Sequence, residues 1–306
     1  MTNEKTINVR MIRMEGDIAP FVKVDYLDRD AQEHSGLMLL DSGSNQNILT
    51  ADMMSCVGDL SKRESEKGNI YTFDGVMVSV DYVNFSFAFG GSQFSEVFGI
   101  SNINLPKVIG ELQIIGILGI AFMQQHNLVI DYDNFTIHTS DVNADNLRIN
   151  DCDFFVPMSL GLKYYNMPLL FMYQNGKEII ALADTGASNN IVASQTITNN
   201  GFECQYLDDM DTIIGLAGSV DMKEAMVGFN LLTLKEDDVE VLSHNELFKM
   251  APHYVYVPKE GECDENGKQL PPIEAIISAP FMAKEGWLLD FGSRIIYKKH
   301  QANVLS

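Results

Sequence analysis

Leu39-Leu40-Asp41-Ser42-Gly43-Ser44-Asn45-Gln46-Asn47-Ile48-Leu49 recurs without a gap, 143 residues further on, as Leu182-Ala183-Asp184-Thr185-Gly186-Ala187-Ser188-Asn189-Asn190-Ile191-Val192. Each stretch reads as an apolar strand running into Asp-[Ser/Thr]-Gly. A second pair follows in the same order. Ile117-Leu118-Gly119-Ile120-Ala121-Phe122-Met123 through Val129-Ile130-Asp131-Tyr132 matches Ile276-Ile277-Ser278-Ala279-Pro280-Phe281-Met282 through Leu288-Leu289-Asp290-Phe291, at an offset of 159. Between the two blocks, Asp74-Gly75 follows Asp41 by as many residues as Ala217-Gly218 follows Asp184. Three landmarks in one order mark two copies of one unit. The offset grows by 16 after the hairpin landmark, and the extra residues are expected in Lys235–Glu240 and in the Gly/Pro-rich Gly261–Pro272, both loop-like in composition. The units divide as 1–145 and 146–306, with the break near Thr139–Asp153, where the apolar period is lost.

Period-two alternation dominates the rest, as half-buried strands require; Val76–Phe89 is the longest example. Asp74-Gly75, Asn175-Gly176 and Ala217-Gly218 are hairpin signals. Helix is expected only in short pieces, such as Asn47–Met54, Phe122–Gln125 and His244–Met250. The fold class is therefore all-β.

The composition narrows the function classes. With 306 residues, 46% hydrophobic, the chain is long enough for two units, each with its own core. Its 42 acidic and 21 basic residues give a formal charge of -21, which repels a phosphate backbone, so no nucleic-acid partner is expected. Leu112–Ile130 lacks charged residues but holds Gln113, Gln124, Gln125, His126 and Asn127, and reads as buried core rather than a membrane span. The first ten residues lack an apolar signal core, so a cytoplasmic protein is expected. Cys56, Cys152, Cys204 and Cys263 show no paired spacing and read as reduced thiols. The six His show no metal-ligand spacing. Asp141-x-Asn143-x-Asp145 starts like a calcium loop, but Asn146 and Cys152 stand where Gly and Glu belong, so neither metal nor cofactor is expected.

The repeated Asp carries the chemistry. A carboxylate at the end of an apolar strand loses hydration, and burial disfavours its charge unless other groups hold it. A single Asp-Ser-Gly is most simply a turn. Two copies in a matched framework are better explained by lobes packed about a pseudo-twofold axis that brings Asp41 and Asp184 together. Like charges that close cannot both ionise, so the pair shares one proton and offers a general base and a general acid side by side. Gly43 and Gly186 fit backbone packed too closely for a Cβ.

These residues resemble the aspartic proteases, and within them the retropepsin-like group. Asp184-Thr185-Gly186-Ala187 is similar to that group's active-site signature, Asp41-Ser42-Gly43-Ser44 to the variant commoner in pepsin-like enzymes, and Ile117-Leu118-Gly119 to the apolar-apolar-Gly segment threading beneath the site. The resemblance covers nearly the whole chain and implies two pseudo-twofold-related β-barrel lobes in a bilobal fold. It implies an endopeptidase of narrow specificity, in which Asp41 and Asp184 activate a water against a peptide carbonyl. Ser42 and Thr185 would bond across the lobe interface. The hairpins around Gly75 and Gly218 would be flaps over an extended polypeptide, with Tyr71, Thr72, Phe73, Gly215 and Leu216 as substrate contacts. Both halves lie in one chain, so a monomer suffices, and mostly aliphatic subsites are expected.

Copy two departs from the pattern at Ser278, where copy one has Gly119; the added hydroxymethyl is expected to displace Asp184. Its flap also lacks a tyrosine. Ser44 has a hydroxyl to offer a carboxylate and Ala187 has none, which predicts an asymmetric, less acidic pair working nearer neutral pH. Asp131 and Asp290, each inside an apolar run, are expected to be structural, and Trp287, aligned with Leu128, to be core. Two rival readings are a peptide-binding module that has lost turnover and a glycosidase, the latter needing carboxyls about 5 to 9 Å apart.

Overall fold

A computed structural model of the chain describes residues 6–13, 18–57, 67–71, 77–102, 105, 107–140, 152–157, 167–215, 218–235, 238–263 and 267–299. The first lobe comprises β1 (Asn8–Arg10), β2 (Phe21–Leu27), β3 (Glu33–Asp41), β4 (Ile48–Thr50), β5 (Lys67–Tyr71), β6 (Met77–Phe89), β7 (Ser92–Ser101), β8 (Val108–Ile109), β9 (Leu112–Gly119), α1 (Ile120–Gln125), β10 (Leu128–Asp131) and β11 (Thr136–Thr139). The second comprises β12 (Cys152–Pro157), β13 (Leu169–Gln174), β14 (Lys177–Asp184), β15 (Ile191–Ala193), α2 (Ser194–Asn200), β16 (Cys204–Gly215), β17 (Gly218–Lys235), β18 (Asp238–Ala251), β19 (Ala275–Ser278), α3 (Ala279–Glu285), β20 (Trp287–Asp290) and β21 (Ile295–Lys299).

The protein is all-β with two similar lobes. In the first, strands run in the order β2-β3-β9-β4-β7-β6-β5, and a β2–β6 pairing curls the sheet back on itself. The second repeats this as β13-β14-β19-β15-β18-β17-β16, with β13–β17 in the closing place. Closure removes most open edges, which would otherwise expose unpaired backbone groups. A third layer joins the lobes in the order β1-β11-β10-β20-β21-β12. Its middle pair, β10 and β20, are equivalent strands running antiparallel, with Ile130 opposite Leu289. Pairing of that kind between counterparts is what a twofold axis through the sheet produces.

Burial follows the sequence pattern. β6 alternates, with Val83, Phe85, Phe87 and Phe89 buried and Asn84 and Ser86 exposed. β3 and β9 pair in parallel and are buried on both faces over Leu37–Leu40 and Ile114–Leu118, as central strands covered on both sides are. One continuous core runs through both lobes, from Phe85, Phe87, Phe98 and Phe122 to Phe229, Phe248, Phe281 and Trp287. Trp287 is fully buried, as expected of its match with Leu128. The Asn175-Gly176 hairpin forms with both residues at positive φ, the turn that matches strand twist.

Several local expectations need correction. His244–Met250 is strand, part of β18, because it pairs with β17 along its whole length and tertiary pairing outweighs a short helical period. Asn47–Met54 divides into β4 and a 3-10 turn at Ala51–Ser55. Helix α3 is the counterpart of α1, as the match of the two segments implies, and α2 is a further short helix. Lys235 and residues 238–240 are strand: Lys235 pairs with Asp238 and Thr233 with Glu240 at the end of the β17–β18 hairpin. That hairpin has arms of 18 and 14 residues where its counterpart β6–β7 has 13 and 10, so it absorbs part of the added length. The boundary segment 141–151, with the calcium-like Asp141-x-Asn143-x-Asp145, lies outside the described residues. Among the described residues no helix is long and apolar enough to cross a membrane, and Leu112–Ile130 is β9, α1 and the start of β10. Cys56, Cys204 and Cys263 are free thiols.

Candidate functional site

β3 and β14 each end on an aspartate, and the lobe symmetry brings those two ends together. Asp41 and Asp184 share a side-chain hydrogen bond. Asp41 is buried, whereas Asp184 is partly open. Each carboxyl is held first by its own turn: the Gly43 N–H donates to Asp41 Oδ1 and the Gly186 N–H to Asp184 Oδ1, both at 2.8 Å. The glycines are required by proximity rather than by backbone angle. A Cβ on Gly43 would sit 2.5 Å from Asp184 Oδ2, and one on Gly186 2.5 Å from Asp41 Cγ, closer than any side chain tolerates.

Beneath the carboxyls the two hydroxyls bond reciprocally across the interface. The Ser42 N–H donates to Thr185 Oγ1 at 2.9 Å, and the Thr185 N–H to Ser42 Oγ at 3.0 Å. Ser42 Oγ in turn donates to the Ala183 carbonyl and Thr185 Oγ1 to the Leu40 carbonyl, each at 2.7 Å. Both side chains are fully buried. Each hydroxyl therefore satisfies one N–H and one C=O of the opposite lobe, groups that would otherwise be buried unpaired where the axis interrupts the sheets.

The strands behind the site match as well. Asp41 lies opposite Gly119 in β9 and Asp184 opposite Ser278 in β19. Asn47 Oδ1 accepts the Gly119 N–H and Asn190 Oδ1 the Ser278 N–H, both at 2.9 Å. Ser278 Oγ also donates to Asn190 Oδ1, at 2.9 Å. The expected displacement of Asp184 by Ser278 is not found, because the hydroxyl has an acceptor and the strand register equals that of the first lobe. Nothing local in the sequence gives Asn47 and Asn190 a role; their identical place in the two matched stretches is the signal that marks them.

The hydroxyl of Ser44 does not face a carboxyl. It donates to the Gln46 carbonyl at 2.8 Å, so it is no source of asymmetry between the aspartates. Burial pushes the Asp41 carboxyl well above the usual aspartate range, with Asp184's charge adding to it. Burial also raises Asp184, against the opposing pull of the Gly186 amide and the hydrogen bond from Asp41. The pair consequently holds a proton to higher pH than a solvated aspartate does, and two carboxyls in direct contact titrate as one system.

The residues expected around the hairpin tips are only partly described. Tyr71 ends β5 opposite Met77, and Gly215 pairs with Gly218 at the end of β16–β17. Thr72, Phe73, Gly75 and Leu216 lie outside the described residues. Asp131 and Asp290 take structural bonds: the Asn134 N–H and Nδ2 donate to Asp131, and the Ser293 N–H and Ser140 Oγ donate to Asp290. No His, Cys, Asp or Glu cluster suited to a metal occurs among the described residues. Neither the known family models nor the curated proteins match this chain.

Proposed function

We propose that the chain is an aspartic endopeptidase with the bilobal acid-protease fold, in which a water between Asp41 and Asp184 hydrolyses peptide bonds. One observation carries the reading: two aspartates from equivalent strand ends share a hydrogen bond inside a reciprocal frame of backbone amides and hydroxyls. With one proton on the pair, the ionised carboxyl takes a proton from the water, whose oxygen attacks the peptide carbonyl carbon. The protonated carboxyl hydrogen-bonds the carbonyl oxygen and gives it the proton as the tetrahedral centre forms. Collapse then breaks the C–N bond: the carboxyl that took the water's proton delivers one to the departing nitrogen, and the other carboxyl takes a proton back from a hydroxyl of the tetrahedral centre, which restores the singly protonated pair. The Gly43 and Gly186 amides hold both carboxyls in position throughout.

Extended polypeptide with apolar side chains is the substrate class proposed, since clefts lined by strands offer mostly aliphatic surface. Direct contact between the carboxyls leaves less room than the roughly 5 to 9 Å that a glycosidase needs. The test is incubation of wild type and Asp184→Asn with a proteome-derived peptide library from about pH 3.5 to about pH 7.5, reading new termini by mass spectrometry. Cuts made by wild type and lost in the variant are the expected result. Identical blank results across the whole range, with folded wild type still binding peptides, would reduce the chain to a binding module.

A further inference from the structure

Midway along the β16–β17 hairpin, one lysine sits between two carboxylates from two other strands. Lys249 on β18 is only 3% exposed. Its Nζ donates to Asp211 Oδ2 on β16 at 2.7 Å and to Glu224 Oε1 on β17. Glu224 and Lys249 are direct cross-strand partners, and Asp211 lies opposite Met222, two residues before Glu224. The three charges therefore tie three adjacent strands at one level. Burial works against the ammonium, but the two carboxylates more than offset it, and its pKa lies above the usual lysine value.

The first lobe fills the same three places differently. Ile48 pairs with Gly99 as Ile191 pairs with Lys249. Tyr82 faces Gly99 as Glu224 faces Lys249, and Gly68 lies opposite Val80 as Asp211 lies opposite Met222. The trio is thus Gly68, Tyr82 and Gly99. The Tyr82 ring covers Gly68 so closely that a Cβ there would strike it, and its hydroxyl donates to Gln46 Oε1 at 2.9 Å. With glycine on both flanking strands, no side chain can link β5, β6 and β7 at this level. A ring on a glycine backbone gives attraction without direction, whereas charge-assisted hydrogen bonds fix distance and angle.

We propose that Lys249 is a positioning residue that clamps the β16–β17 hairpin to β18, making it a fixed wall of the substrate cleft. The backbone bond from Lys249 toward the carboxyl pair does not depend on the clamp. The Lys249 N–H donates to the Asn190 carbonyl at 2.8 Å, and Asn190 holds Ser278, the register partner of Asp184. The effect on turnover rests on the endopeptidase reading; the clamp itself does not.

Hydrogen exchange on the full chain tests it, comparing wild type, Lys249→Met and the neutral triple variant Asp211→Asn/Glu224→Gln/Lys249→Met. The triple variant leaves no unpaired charge buried, and so keeps the experiment readable if the single variant fails to fold. The expected result is a loss of protection of about tenfold or more across 204–215 and 218–227, with 67–71 and 77–83 unchanged. Unchanged protection in the second hairpin, or an equal loss in both hairpins, overturns the clamp. In peptide hydrolysis the same variants should raise KM with kcat held, because the wall and not the carboxyl pair is loosened. A fall in kcat at constant KM would overturn that part. Should wild type cut no peptide at all, the endopeptidase reading fails while the exchange data still decide the clamp.

Discussion

In the first lobe a tyrosine ring lies on glycine beneath the β5–β6 hairpin; in the second, Lys249 joins Asp211 and Glu224 beneath β16–β17. A similar exchange lies behind the helices. His126, after α1, pairs with Glu96 of β7 at 3.0 Å against Phe94 and Phe122. In the second lobe the imidazole is on the strand and the carboxylate on the helix: His244 of β18 lies against Phe229 and Phe281, 3.9 Å from Glu285 of α3. Around Asp41 and Asp184, by contrast, the frame of turn amides and cross-lobe hydroxyls is the same in both lobes. The difference follows from the axis. Close to it each group touches its own counterpart, so a change in one copy must suit both. Away from it each lobe packs only against itself, and its side chains can diverge while the strand order stays fixed.

The largest effect should come from breaking the agreement at the axis. Ser42→Ala and Thr185→Val each strand a buried N–H and a buried carbonyl of the opposite lobe. Leaving such groups unsatisfied costs about 1 to 3 kcal/mol apiece, so each variant should lose about 3 kcal/mol or more in denaturant unfolding. Because the two hydroxyls hold equivalent groups, the two losses should agree within about 1 kcal/mol, and the double variant, which strands all four groups, should lose about their sum. A large loss in one variant and none in the other would show that the lobes do not share this load.

A further test reads the pair by its proton. Both carboxyls are raised above the ordinary aspartate value of 3.8, burial being the first cause for each. Between that value and the raised range the folded protein binds more protons than the unfolded chain. Their contribution to stability is therefore full below the unfolded value and lost as pH rises through the folded one. Thermal midpoints of wild type should decline across that window, and Asp41→Asn and Asp184→Asn should each flatten the decline. If only one of the two flattened it, the carboxyls would be independent and the shared-proton description would be wrong.

The parts legible in the sequence were those that the axis repeats. Asp-[Ser/Thr]-Gly, the Gly119 and Ser278 segments and the Asn175-Gly176 turn each carry a local signal, and matching the copies turned weak signals into firm ones. What escaped was set by pairing across strands far apart in sequence. His244–Met250 has a short helical period, yet β17 and β15 fix it as strand. The Lys249 cluster draws on positions 211, 224 and 249, whose spacing follows no local period. For Ser44 the sequence shows a hydroxyl but not its direction, which is toward the Gln46 carbonyl.

Ser278 is the mildest departure from symmetry near the axis and should give the smallest effect. The Gly119 site has no room for a side chain, since a Cβ would lie 2.6 Å from the Gln46 carbonyl oxygen and 2.7 Å from that of Ser44. At the matching place Ser278 is buried with its hydroxyl on Asn190 Oδ1. The second lobe has therefore adjusted to its serine, and Ser278→Gly removes a satisfied bond rather than a strain. Loss of that bond, with the added freedom of glycine in the unfolded chain, should cost about 1 kcal/mol. The backbone bond from Ser278 to Asn190 survives the change, so the position of Asp184 and any hydrolytic rate should be nearly unaltered. A gain in stability, or a severalfold gain in rate, would mean that the serine strains the second copy after all, and that the two halves of the site are equivalent in bonding but not in function.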